Sequence, residues 1–475
     1  MKRILDTVHG YIYIDAGLMS RFVDTPCFQR LRRIEQTSVR AVFSSARHDR
    51  FIHSLGVYAI GKRIVDSIIS KNGDFDYSEA VHGPVFKSYL VACLMHDCAH
   101  TPFSHTFEDY FKRSDDELPN LLIGELDDSE SFKKDRYDNK GEEFKIAPHE
   151  YLSSILCLKK YKQEIVGYGA IPDLVARMII GVQYKQGHSF ENCLISLIHG
   201  DVIDADRLDY ACRDRWASGY STSTIDVERL IASIHIKKMD GRYCVCYDSS
   251  AIHDIDGVLS VKEFQQEFVV NHHTVCYEQF LLKKAMEHAA YRLMNDDKDT
   301  EDEEAVTKAL KTLCNPSVMW NGLHDYGLDI DFLSDDDFVV LMKRCKDNVY
   351  VQQWFSRNYQ MKPLWKSKAD FYSLFPNKTK EPLDEFNSVY RKSDPYSLCR
   401  HFDKIDVNGF LRLDAKEKHT HISNGLMILT KNASLQNHGS LFGDHETESK
   451  TLFFYLYLSP EAMEKKEEII DYLKG

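Results

Sequence analysis

Tyr89 to His105 reads YLVACLMHDCAHTPFSH. Its first seven residues are apolar all round, so a helix formed from them has no solvent face and belongs at the centre of a fold. His96 and Asp97 stand at the end of that helix. Burying an imidazole and a carboxylate there without partners would cost several kcal/mol, and a metal cation that used both as ligands would offset the cost. His100 and His105 follow in the same short segment. Three histidines near one carboxylate suit a metal and anion site, and the plainer alternative is a helix-end cluster bonded to backbone carbonyls. The dipeptide decides nothing alone, because His48-Asp49, His253-Asp254 and His324-Asp325 repeat it.

Two other stretches carry the same chemistry. RFIHSLGV sets His53 among Phe51, Ile52, Leu55 and Val57, with Arg50 about one helical turn before it as a candidate phosphate fork. DVIDADRLDYACRD carries Asp201, Asp204, Asp206, Asp209 and Asp214 among apolar residues. Carboxylates so close together raise one another's pKa values. A cation relieves that conflict, and a solvated acidic helix face is the other reading.

Working outward, apolar residues recur at helical spacing from about Leu18 to Ile69, predicting two or three amphipathic helices. Residues 114–147, rich in Asp, Glu, Lys and Ser, predict an acidic solvated insertion. Helical patterning resumes at PHEYLSSILCL with Pro148 in the first turn, and period-two alternation around Asp240-Gly241 predicts a hairpin at about 234–247. The acidic cluster from Asn295 suggests a boundary, giving residues 1–295 as one domain and 296–475 as a smaller C-terminal α+β region for assembly or partner binding. Within that region GLMILT and TLFFYLYL are strand-like. The second is apolar at every position after Thr451, which fits either an interface between copies or a central strand of a small sheet.

The chain's 475 residues with 43% hydrophobic content support a sizeable core. A formal net charge of -13 argues against a general nucleic-acid surface, so a phosphate ligand must meet a local basic pocket. The start lacks the apolar run of a signal peptide, and no stretch reaches the roughly 18 apolar residues of a membrane span. A cytoplasmic location is the resulting expectation. The twelve cysteines are scattered without a CxxC pair and are expected to be reduced and mostly buried.

Taken in order, RFIHSLGV, LMHDCAHTPFSH, PHEYL and DVIDADRLDYACRD resemble the HD-domain deoxynucleoside triphosphate triphosphohydrolases, over roughly Leu5 to Met294. The resemblance implies a mainly α fold: an HD-domain helical core beside the smaller mixed α+β region. It implies one divalent metal ion held by His53, His96, Asp97 and Asp206, a ligand set that suits manganese, iron, zinc, nickel, cobalt or magnesium. A further magnesium ion can accompany the nucleotide. The implied reaction is hydrolysis at the α-phosphorus of a deoxynucleoside triphosphate, releasing deoxynucleoside and intact triphosphate.

By the same resemblance His100, His105 and His149 surround the phosphates, with His105 protonating the leaving 5′ oxygen. Arg50 and Arg207 clamp the triphosphate, Arg207 standing where relatives often have lysine. Gln36 and Asp214 contact the sugar hydroxyls, Tyr210 packs on the sugar, and His273 and Tyr277 reach the nucleotide pocket from NHHTVCYEQF, which matches only loosely. Ala99 and Glu108 depart from the family pattern without touching a ligand. Relatives commonly form dimers and tetramers, so a homo-oligomer is expected. The competing readings are an HD phosphohydrolase for another nucleotide or phosphate ester, and a degenerate HD core that only senses nucleotide.

Overall fold

The computed structural model describes residues 1–71, 79–137, 141, 144–200, 203–220, 225–376, 396–403, 405, 407–415, 426–429, 435–437 and 453–474. The fold is mainly helical with small sheets. It divides into two compact units that interleave along the chain: Met1–Lys262, Ala290–Val340 and Thr420–His445 in the first, Glu263–Ala289, Leu341–His419 and Glu446–Gly475 in the second. That division is not the single cut at residue 295 expected from the acidic cluster.

The first unit begins with an antiparallel hairpin of β1 (Lys2–Asp6) and β2 (Gly10–Ile14), a feature the charged opening residues had concealed. Ile12 and Ile14 turn inward while Tyr11 and Tyr13 face solvent, the period-two pattern of a one-sided hairpin. The helical spacing of FQRLRRI yields only short turns, Pro26–Gln29 and Arg30–Arg33. The long helix follows as α1 (Arg50–Ser70), capped by the Asp49 carboxylate, which accepts the Ile52 N–H at 2.9 Å.

The apolar α2 (Glu79–Met95) is central, as its composition demands, and packs on α1. Gly61 permits that approach, since a Cβ there would lie 2.5 Å from Cys93 Sγ. Next come α3 (Pro148–Tyr168) and α4 (Pro172–Ile180), each with proline in its first turn, then α5 (Ser189–Ile198) and α6 (Ala205–Ser218). α6 packs on α1, and Asp204 caps it by accepting the Arg207 N–H at 2.6 Å. β3 (Ile234–Met239) and β4 (Arg242–Asp248) pair across Asp240-Gly241. β4 then pairs in parallel with Met427–Leu429, which extends the sheet to Leu435–Asn437.

Residues 114–147 contain more structure than their charge suggested. Helices Glu117–Glu125 and Ser129–Asp135 bury Leu118, Leu122 and Phe132, an apolar spacing hidden among the charges. Asp135 pairs with the buried Arg177 at 3.0 Å, whose guanidinium lies 4.0 Å from the Tyr184 ring centroid. All twelve cysteines are free, most of them buried. Among the described residues no helix is long and apolar enough to cross a membrane.

In the second unit, Phe453–Leu458 is the central strand of a three-stranded sheet, antiparallel to Phe410–Ala415 on one side and Lys362–Pro363 on the other. All six residues are buried within the chain itself. The run therefore supplies no motive for self-association, and the expected homo-oligomer rests on resemblance alone. Phe454 packs edge-on against Trp365 at 5.3 Å between ring centroids. Phe454→Asp is accordingly expected to destabilise the protein by about 4 kcal/mol or more, through a lost ring and an unpaired buried charge. Chemical denaturation checks this; a variant of unchanged stability but reduced oligomer mass would reverse the reading of this strand.

Candidate metal centre and active site

Three helices of the first unit bring donor groups together: His53, His96 and Asp97 form one compact cluster, and Asp206 stands beside it against the two histidines. His53 lies in the first turn of α1, His96 and Asp97 in the turn that ends α2, and Asp206 in the first turn of α6. His53 Nε2 is 3.3 Å from His96 Nε2, 3.0 Å from Asp206 Oδ1 and 3.6 Å from Asp97 Oδ2. His96 Nε2 is 3.4 Å from Asp97 Oδ2 and 3.7 Å from Asp206 Oδ1. Neighbouring ligands that each stand about 2.1 Å from a shared cation are separated by about 3 to 3.5 Å, so this spacing suits a metal.

The outer face of each imidazole supports the same conclusion. His53 donates from Nδ1 to Asp209 Oδ2 at 2.7 Å and His96 from Nδ1 to Cys93 O at 3.1 Å, which points both Nε2 atoms inward. The charges agree as well. Burial would lower the pKa of His53, but hydrogen bonds to Asp206 and Asp209 push it up to about 10. Desolvation would raise the half-buried Asp206, but His53 and His96 hold it down at about 2. A site that draws so strongly on a proton for its positive charge is equally suited to a divalent cation.

The acidic run on α6 is resolved carboxylate by carboxylate. Asp204 is the helix cap, Asp206 faces the donor cluster, Asp209 backs His53, and Asp214 Oδ1 accepts from His48 Nε2 at 2.6 Å. Asp201 lies outside the described residues. Distinct partners therefore relieve most of the repulsion for which the sequence offered either a cation or a solvated helix face.

Beside this centre lies a second group. Glu108 Oε1 accepts from His105 Nδ1 and lies 2.9 Å from His149 Nδ1 and 3.6 Å from His100 Nε2. His100 stacks on His149 with ring centroids 4.4 Å apart, and His105 stands edge-on to both. Left-handed backbone at Phe103 and Ser104, both at φ 53°, swings His105 outward, so that its side chain is 65% exposed. Burial and the nearby Arg50 hold His100 well below the ordinary histidine range, hence neutral. Burial is outweighed at His149 by Glu108, which pushes it up to about 9. Glu108 itself lies well below the usual carboxylate range despite burial, because of His105 and His149.

That ion pair gives a pH dependence. The folded pKa of His149 is raised above its unfolded value near 6.5, so the pair's stabilisation is complete below that value and disappears as pH rises through about 9. Unfolding midpoints measured from pH 6 to 10 are expected to fall more steeply for the wild type than for His149→Gln. Parallel curves would show that the pair contributes nothing.

The remaining candidates divide. Arg50, read as a phosphate fork, directs its guanidinium inward: Nη1 donates to Asp97 Oδ2 at 2.6 Å, Nε to Ser104 Oγ at 3.0 Å and Nη2 to Gln36 O at 3.1 Å. Its contacts are those of a group that orients Asp97. Arg207 is the opposite case: among the described residues its buried Nε and Nη1 make no hydrogen bond, and Nη2 lies 3.8 Å from Asp204 Oδ2. Gln36 is buried, its Oε1 makes no hydrogen bond among the described residues, and its N–H donates to His48 O at 3.0 Å, which links it to the His48–Asp214 pair. Tyr210 is half-buried one turn along α6 from Arg207.

His273 and Tyr277 belong to the second unit. There Tyr277 stacks on Tyr457 and donates to Gln353 Oε1 at 3.0 Å, and His273 Nδ1 faces Lys366 O at 3.2 Å. These are core contacts of that unit. Sequence reasoning missed His9, Asp6 and Arg213, which back His53, and Asp335, which accepts the N–H groups of Glu35 at 2.9 Å and Phe103 at 2.6 Å. Burial pushes Asp335 up to about 7.

Residues 50–161 match the profile of the HD domain, a span that contains His53, His96, Asp97, His100, His105 and His149. The chain therefore carries an HD domain over those residues. Among curated relatives of this HD-domain chain, an uncharacterized protein of Bacillus subtilis is 27% identical over 62% of this chain and 57% of its own length. A deoxynucleoside triphosphate triphosphohydrolase homologue of Dictyostelium discoideum is 25% identical over 64% and 52%, and the human enzyme of that name 29% over 52% and 38%. The chain thus spans little more than half the length of the curated relatives it matches first. A phosphohydrolase structure from Bacteroides thetaiotaomicron shares the fold over 97% of this chain and 99% of its own, with TM-score 0.63 at 19% identity. A hypothetical protein of Aquifex aeolicus does so over 98% and 99%, with TM-score 0.60 at 21%.

Proposed function

We propose that this HD-domain protein hydrolyses deoxynucleoside triphosphates to deoxynucleoside and triphosphate, using one divalent cation held by His53, His96, Asp97 and Asp206. The observation that carries the reading is the convergence of two inward-facing Nε2 atoms and two carboxylates beside a Glu108-centred histidine group. The Dictyostelium and human relatives, named for that activity, support the substrate class.

The bound cation would supply Lewis acidity toward a phosphoryl oxygen and an activated water. The chain's own groups do the rest. Arg50 fixes Asp97 and Ser104, which keeps the donor set in register. Arg207 offers a bound phosphate two donors, Nε and Nη1, that no described residue occupies. Glu108 holds His105 at Nδ1, which leaves Nε2, 3.5 Å from Arg50 Nη2, as the atom that would exchange a proton with the leaving oxygen. His149, cationic at neutral pH, stabilises negative charge growing on the phosphorus oxygens. Gln36, Asp214 and Tyr210 form the sugar side.

Incubation with each of the four deoxynucleoside triphosphates and several divalent metals, followed by chromatography, tests the proposal. Deoxynucleoside and inorganic triphosphate are the expected products. Orthophosphate or pyrophosphate would transfer the site to another phosphate ester, and no turnover with any metal would leave a nucleotide-binding sensor.

A further inference from the structure

The turn of the N-terminal hairpin enters the back of the donor cluster. Asp209 is fully buried and accepts four hydrogen bonds. Oδ2 takes His53 Nδ1 at 2.7 Å and Arg213 Nε at 2.8 Å, and Oδ1 takes His9 Nε2 at 2.6 Å and Arg213 Nη2 at 2.9 Å. A carboxylate only accepts, so both imidazoles donate here. Arg213 continues outward to Asp6, with Nη1 donating to Oδ1 at 2.8 Å and Nη2 to Oδ2 at 3.2 Å. Asp6 in turn accepts the His9 N–H at 2.8 Å, which shapes the turn that presents the His9 ring.

Gly56 shows how tightly this network is fitted. It stands three residues after His53 on α1, and a Cβ there would fall 1.9 Å from Asp209 Oδ1 and 2.5 Å from Arg213 Nη2. The carboxylate therefore presses on the helix that carries His53 while also holding the ring of His53. Its orientation is set from the far side by His9 and by the Asp6–Arg213 clamp.

We propose that the N-terminal hairpin is a working part of the metal centre, in which His9 and Asp6 fix Asp209 and through it the tautomer and aim of His53. His9 and Asp6 are thus positioning residues. The inference rests on the reading of His53 as a cation ligand. Without the His9 donor, one oxygen of a buried carboxylate loses a partner. The carboxylate is then free to turn toward Arg213, and the Nδ1 proton of His53 is no longer held in one place.

Manganese(II) affinity, measured by competition with a coloured chelator on the full chain, tests this. His9→Leu is expected to bind about 10- to 100-fold more weakly, and His9→Gln, which restores an N–H donor, to recover most of the loss. Melting temperatures with and without manganese(II) supply a second readout, and the gain on adding metal should shrink in His9→Leu. Unchanged affinity in His9→Leu, or equal melting losses with and without metal, would overturn the inference. So would a loss that His9→Gln fails to relieve. If His9→Leu does not fold, Asp6→Asn is read by the same competition, and wild-type affinity there overturns it too. A wild-type chain that binds no manganese(II), zinc(II) or iron(II) would instead defeat the proposed metal centre itself.

Discussion

Asp206→Ala is expected to yield a folded protein that has lost its metal and its activity together. Asp206 Oδ1 faces both Nε2 atoms of the cluster, at 3.0 Å from His53 and 3.7 Å from His96. Removing it leaves three donors and one carboxylate charge where a divalent cation had two. Loss of a metal-binding group lowers affinity by orders of magnitude, and turnover should fall at least about 1000-fold. The fold should survive, because the side chain is 38% exposed and the start of α6 is held by the Asp204 cap. Metal content by mass spectrometry and far-UV circular dichroism check the two halves of the expectation. Normal metal content in a folded variant would remove Asp206 from the ligand set.

His53, His96 and Asp97 are legible in the sequence because each polar group interrupts an apolar run, and such an interruption needs a partner. Asp206 is harder. It is one of five acidic residues in fourteen, and nothing in their spacing says which caps the helix, which backs a histidine and which turns inward. Only the resemblance singled it out, and the assembled helices supply the physical distinction. Arg50 shows the converse. Its place one turn before His53 suggested a phosphate contact, but a guanidinium buried beside Asp97 meets that carboxylate first.

His9 could not be found this way. Its partner Asp209 lies 200 residues along the chain, and no local pattern marks a histidine in a hairpin turn as the support of a site. Composition likewise cannot separate a strand buried by its own sheet from one buried by another copy, which is why TLFFYLYL admitted both readings until its two neighbouring strands were placed. Within residues 114–147 the charges concealed two short helices, one burying Leu118 and Leu122 and the other Phe132.

His105→Ala is expected to keep its metal and still bind nucleotide while turning over at least about 100-fold more slowly. The side chain is absent from the converging donor set, so metal content should equal that of the wild type. The proposed phosphate contacts of Arg207 and His149 remain, so nucleotide affinity, read by calorimetry with a slowly hydrolysed analogue, should change little. What disappears is the most exposed imidazole of the group, the one that can reach a bound ester with Nε2 while Glu108 secures Nδ1. His100 is a poor substitute, since burial and Arg50 keep it neutral, and it has no proton to spare at neutral pH. His149 is the competitor, because it shares Glu108 and stays cationic up to about pH 9. Wild-type turnover in a metal-loaded His105→Ala would therefore move the acid to His149, and His149→Ala should then show the 100-fold loss in its place.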